Sequence, residues 1–153
     1  MKYLSIVLFS LIIFSCSSPN KSTEQTAEPV ADQTEIAEKV EADSAYVFFK
    51  SPADGATVAS PVFVEMGVSG MQIEPAGQVK EGFGHHHILI NQASWPEGEV
   101  IPMSDSTIHY GKGQTDTTLE LEPGEYTLSL QFANGVHASY GEKMATSITV
   151  TVE

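Results

Sequence analysis

The sequence predicts an all-β fold, an Ig-like antiparallel β-sandwich that follows a signal peptide and a disordered tether. Three observations predict it. After Ala45, apolar and polar residues alternate in several short runs; turns bearing Gly and Pro separate those runs; and no sustained helical period appears in that region. Several such strands within about a hundred residues are the pattern of two packed antiparallel sheets.

Before that domain lie two segments of different character. Residues 1–15, within "MKYLSIVLFSLIIFSCSS", carry an early Lys and an apolar run from Leu4 to Phe14. The run is short for a membrane span and reads as a signal peptide. Ile13-Phe14-Ser15-Cys16 resembles a bacterial lipobox, which makes Cys16 the expected lipidation site and the lipid the expected contact with the membrane. With no acidic cluster immediately after Cys16, the expected location is the outer membrane, facing the periplasm. Cys16 is the single cysteine, so no intrachain disulfide can form and the fold must rest on an apolar core. Residues 16–44 contain no aromatic side chain and are dominated by Ser, Thr, Glu, Ala, Gln and Pro. Such a segment buries too little apolar area to offset its ordering entropy and is expected to be a flexible acidic tether, spanning roughly 30 Å on average.

The domain is expected over 45–153. "YVFFK" (Tyr46 to Lys50) is an aromatic and β-branched run closed by the turn signature Ser51-Pro52-Ala53-Asp54-Gly55. "PVFVEMGV" sets Val62, Val64, Met66 and Val68 on one face and Glu65 on the other. "TTLEL" repeats the alternation with Leu119 and Leu121. In "EYTLSLQF", Tyr126, Leu128, Leu130 and Phe132 oppose Thr127, Ser129 and Gln131, and "SITVTV" aligns Ile148, Val150 and Val152. Tyr126, just after a Pro-Gly bend at a strand entrance, has the placement of a tyrosine corner.

The charge balance excludes one class of partner. Seven Lys, no Arg and 20 acidic residues provide no basic footprint for nucleic acid, nor for anionic headgroups.

The chemistry-bearing residues are the five histidines, confined to three segments: "GFGHHHILIN", "HYGKGQT" and "NGVHA". Along a strand, His85 and His87 share a face and form a His-x-His pair able to grip one metal ion, whereas His86 joins Ile88 and Ile90 on the other. Asn134-Gly135 signals a two-residue hairpin loop, which would pair Ala133 with Val136 and Phe132 with His137. His137 would then lie on the Tyr126–Phe132 side, at the rim of the sandwich. If the "HHHILIN" strand pairs antiparallel with "YTLSLQF", its start approaches His137, and His109, ahead of the "TTLEL" strand, belongs at the same end. The expected metal ligands are therefore His85, His87, His109 and His137. His86, Tyr110, Met71 and Met103 are secondary candidates, the two Met as thioethers favouring Cu(I). Neutral imidazoles suit copper and zinc. The plainer alternative is a set of structural histidines at strand ends.

At "SPADGATVASPV", "GVSGMQIEPAG", "GHHHILIN", "HYGKGQTDTTLELEPGEYTL" and "NGVHA" the chain is similar to a family of secreted bacterial domains, domain of unknown function 4399. The resemblance runs in order across Val47 to Val152 and implies the fold and the histidine motif more than an activity. It also implies an acid where Asn91 stands, often a His at Tyr126, and a second His beyond His137, where this chain has Ser139 and Tyr140. A weaker resemblance, over "SPADGATVASPVFVEM", is to CopC-like periplasmic copper-resistance domains, whose N-terminal histidine has no counterpart beside Cys16.

Other chemistry is thin. "GKGQT" (Gly111 to Thr115) lacks phosphate-loop spacing and reads as a turn. No nucleophile elbow or His-Glu-x-x-His motif occurs, and the pairs Glu97/Glu99 and Glu120/Glu122 read as solvated acids. Trp95 is expected to be a cover over the core. The sequence thus points to a nonenzymatic, lipid-anchored envelope module with a histidine site for copper or zinc. The alternative is an envelope module that binds a protein or glycan partner and whose histidines are scaffold.

Overall fold

The computed structural model describes residues 45–153; the expected signal peptide, Cys16 and tether lie outside the described residues. Strands β1 (Tyr46–Ser51), β3 (Val62–Ser69) and β7 (Asp116–Leu119) form a three-stranded sheet in the order β1-β3-β7. A second sheet runs β2-β9-β8-β5-β4, from β2 (Ala56–Val58), β9 (Ala145–Val152), β8 (Gly124–Ala133), β5 (Phe83–Ile90) and β4 (Gln72–Ile73). The short β6 (Thr107–His109) pairs with β5 beyond β4. The pairing is antiparallel except at the two outermost strands, where β2 runs parallel to β9 and β4 parallel to β5.

The period-2 pattern decides what each sheet buries. Val47, Val62, Val64, Met66 and Leu119 from the small sheet meet Ile88, Leu128, Leu130, Phe132, Ile148, Val150 and Val152 from the large one. Apart from Val47, these residues were legible as one-face sets, because slipping a strand by one residue would expose every member at once. The tyrosine corner is present: Tyr126 Oη donates to the Glu122 carbonyl at 3.0 Å.

Three short strands, β2, β4 and β6, carry too few residues for alternation to announce them. β6 exists because "TIH" completes the open edge of β5, opposing His87 with His109.

The outer face of the large sheet is also covered, which alternation does not anticipate. Ser129 and Gln131, on the polar face of β8, are both fully buried. The connection over 91–106 packs there, with Leu89, Ile101, Ala133 and Trp95 forming a small second core. Gln131 secures it. Its Oε1 accepts from the Trp95 backbone N–H at 2.9 Å, and its Nε2 donates to the carbonyls of Gly141 and Met144 at 3.0 and 3.1 Å. Ser139 Oγ adds a bond to the Trp95 carbonyl. Trp95 is therefore the expected cover, but over the outer face rather than the main core.

Candidate metal centre

Strand β5 begins at Phe83, so the alternation extends through all three adjacent histidines. His86 lies opposite Phe132 and turns into the sandwich, with the two rings 5.1 Å apart at 65°. His85 and His87, opposite Ala133 and Gln131, turn to the covered outer face, where both are essentially fully buried.

His109 reaches the same face from β6, directly across from His87. His109 is expected at this end because it precedes the "TTLEL" strand; that strand, β7, belongs to the other sheet, and His109 is placed instead by the pairing of β6 with β5. Gly111 seats the His109 ring. A Cβ on Gly111 would run into its Cε1 and Nε2 atoms, so the missing side chain is what leaves room for this imidazole.

His137 arrives by a route that differs from the two-residue hairpin. The Asn134 N–H donates to the Ala138 carbonyl, the His137 N–H to the Asn134 carbonyl, and Ala133 bridges to Ser139. The loop is wider than the Asn-Gly signal suggests because the Asn134 side chain organises it, Oδ1 accepting from the N–H groups of Val136 and Ala138 at 3.0 Å each. Phe132 consequently does not pair with His137. The widened loop carries His137 to the side of Ala133 and Gln131, opposite the face the hairpin register assigned to it. His137 also adopts φ 68°, a left-handed conformation uncommon outside Gly, and its carbonyl accepts from Ile101 of the covering segment.

The four rings meet. Centroid separations run from 4.5 Å for His109–His137 to 5.9 Å for His87–His137. One nitrogen from each of His85, His87, His109 and His137 lies within 4.8 Å of the others, a grouping that can hold a metal ion. His85 Nε2 lies 3.1 Å from His137 Nδ1 and 3.2 Å from His87 Nε2. A ring nitrogen has one in-plane site, occupied by either a proton or a lone pair. The single in-plane site of His85 Nε2 cannot serve both neighbours at once, whereas one cation takes all three lone pairs. With metal–nitrogen bonds of about 2.0–2.1 Å, tetrahedral ligands stand roughly 3.3 Å apart, close to the two shortest separations.

The electrostatics favour the neutral form of His85, His87 and His109. Burial, and then the neighbouring His109 and His137, lower the His85 pKa to about 4. Burial leads again for His87, reinforced by the surrounding histidines, and lowers it to about 3. His109 is lowered by burial and by His137. At neutral pH these rings offer lone pairs rather than protons. Among the described residues, Nδ1 of His85 and of His87 has no hydrogen-bond partner.

The secondary candidates divide. Met103 joins His87, His109 and His137 in lining a cleft of about 290 Å³, together with Val100, Ile101 and Pro102. Met71 instead packs on the main core and lines a different cleft, with Ala45, Tyr140 and Met144. Tyr110 is buried in the main core, which raises its pKa. His86 remains in the sandwich, with neither ring nitrogen hydrogen-bonded among the described residues and a pKa lowered by burial, then by His85, to about 4. The non-His residues at the family's positions have structural work: Asn91 Oδ1 accepts from the Thr127 N–H, Ser139 ties down Trp95, and Tyr140 Oη donates to the Phe83 carbonyl at 2.7 Å. Sequence reasoning missed Gln131 and Gly111. Gln131 in an apolar-flanked strand was the available signal; nothing local marked Gly111.

Residues 64–153 match the family model described as Domain of unknown function (DUF4399), and the chain belongs to that family. A comparison with curated proteins finds no match.

Proposed function

We propose that this protein is a lipid-anchored bacterial envelope module that holds a transition-metal ion, copper or zinc, between His85, His87, His109 and His137. One observation carries the reading: four imidazole nitrogens from three separate segments converge to within 4.8 Å of one another on the covered outer face, where the short contacts of His85 Nε2 are to the neighbouring imidazoles. The module is nonenzymatic on this reading, since four protein donors complete a tetrahedral shell without an open position. The lipobox-like Ile13-Phe14-Ser15-Cys16 supports attachment to the membrane, with the module facing the periplasm. Storage, delivery or tolerance of the metal is the role that fits such a site there.

The test is a titration of the full-length chain, without a histidine tag, with Zn(II), Cu(II) and Cu(I) against competing chelators, beside H85A/H87A. Submicromolar affinity that drops at least a hundredfold in the double variant is expected. Weak binding unchanged by the double substitution would make the histidines scaffold and redirect the search to protein or glycan partners in the envelope.

A further inference from the structure

Resting on that reading, the composition of the cleft selects among metals. The cleft leading to His87, His109 and His137 is otherwise lined by Val100, Ile101, Pro102 and Met103. No carboxylate lines it, although the chain has 20 acidic residues against seven basic ones. Hard cations favour oxygen ligands, so this entrance offers them nothing. Met103 has the one soft donor in the lining. It is 78 % exposed, more than any other large apolar side chain among the described residues, although methionine is ordinarily a core residue. Its segment is nevertheless fastened: Thr107 Oγ1 donates to the Pro102 carbonyl, and the Ile101 N–H to that of His137. The backbone flanking the thioether is thus tied to the histidine loop and to β6, while the unbranched side chain retains three rotatable bonds.

We propose that Met103 is a copper(I) ligand, the thioether that receives Cu(I) at the mouth and makes a four-donor set with His87, His109 and His137, the imidazoles that line the cleft, in place of the all-histidine set, so that Cu(I) is the ion this site takes. Cu(I) has a filled d shell with no directional demand and accepts thioether sulfur together with neutral imidazole. Zn(II) gains little from a thioether and depends on the histidines alone. Met103 therefore separates the two ions where the histidines do not.

The experiment compares the full-length chain with M103L, which keeps the size and apolar character of an exposed side chain and removes only sulfur. Affinities are measured anaerobically for Cu(I) against a copper(I)-specific chelator, and separately for Zn(II). X-ray absorption of the Cu(I) form reports whether sulfur is bound. In M103L, Cu(I) affinity is expected to fall at least tenfold, Zn(II) affinity to change less than twofold, and the sulfur signal to disappear. Equal Cu(I) affinity in the two proteins, with Zn(II) and Cu(I) both bound and no sulfur signal, overturns the role of Met103 and leaves the histidine centre standing. Failure of the unsubstituted chain to bind either ion overturns both.

Discussion

The two faces of strand β5 carry similar residues in opposite circumstances. On the inner face His86 alternates with Ile88 inside the main core, and its close ring neighbour among the described residues is Phe132. On the outer face His85 and His87 alternate with Leu89 beneath the 91–106 cover, and each meets two further imidazoles from other segments. All three histidines are buried and held neutral. Burial therefore does not mark the functional face; convergence does. A lone imidazole in an apolar core is a local cost to folding, whereas four that share a point make a ligand set.

The sharpest way to expose what both faces have in common is acid. In the unfolded chain these rings titrate near 6.5, but in the fold His85 and His86 do so near 4 and His87 near 3. Between those values the unfolded state binds more protons, so stability falls with pH. It is complete above about 6.5, is lost progressively as pH drops, and levels off below about 3. Thermal melts of the metal-free chain should show a decrease in Tm of roughly 10 °C or more between pH 7 and pH 4. In H85A/H87A the slope should be distinctly shallower, because His86 and His109 then supply most of it. A Tm independent of pH in the unsubstituted chain would mean that the rings are not held neutral.

A second experiment acts on the outer face alone. G111A introduces a methyl group where the His109 ring rests, at a backbone conformation that Ala tolerates. Displacing one of four ligands should weaken metal binding about tenfold or more, while the fold, whose core lies elsewhere, loses about 1 kcal/mol or less. Unaltered affinity would show that His109 does not contribute.

The smallest effect is expected on the inner face. H86L replaces an imidazole without hydrogen bonds by an apolar side chain of similar size. Removing an unsatisfied buried polar group should leave Tm unchanged or raise it by a few degrees, with metal affinity within about twofold of the original. A large loss of metal binding in H86L would refute the independence of the two faces.

Much of this molecule was already determined by its sequence. Alternation set the inward residues of β3, β8 and β9, because a buried face admits only one register. The same period divided His86 from His85 and His87. The Pro-Gly bend before Tyr126 announced the corner hydrogen bond that the fold contains. What the tertiary structure alone decided is how the remaining ligands reach that face. His109 arrives because a three-residue strand completes an open edge, a length at which periodicity is silent. His137 arrives because the Asn134 side chain competes for backbone N–H groups and widens a hairpin that Asn-Gly would otherwise close in two residues. The cover over 91–106 is held by Gln131, whose bonds extend to residues 10, 13 and 36 positions away in the chain. Local pattern specifies which way a side chain points; whether four of them point at one another depends on contacts between segments remote in sequence.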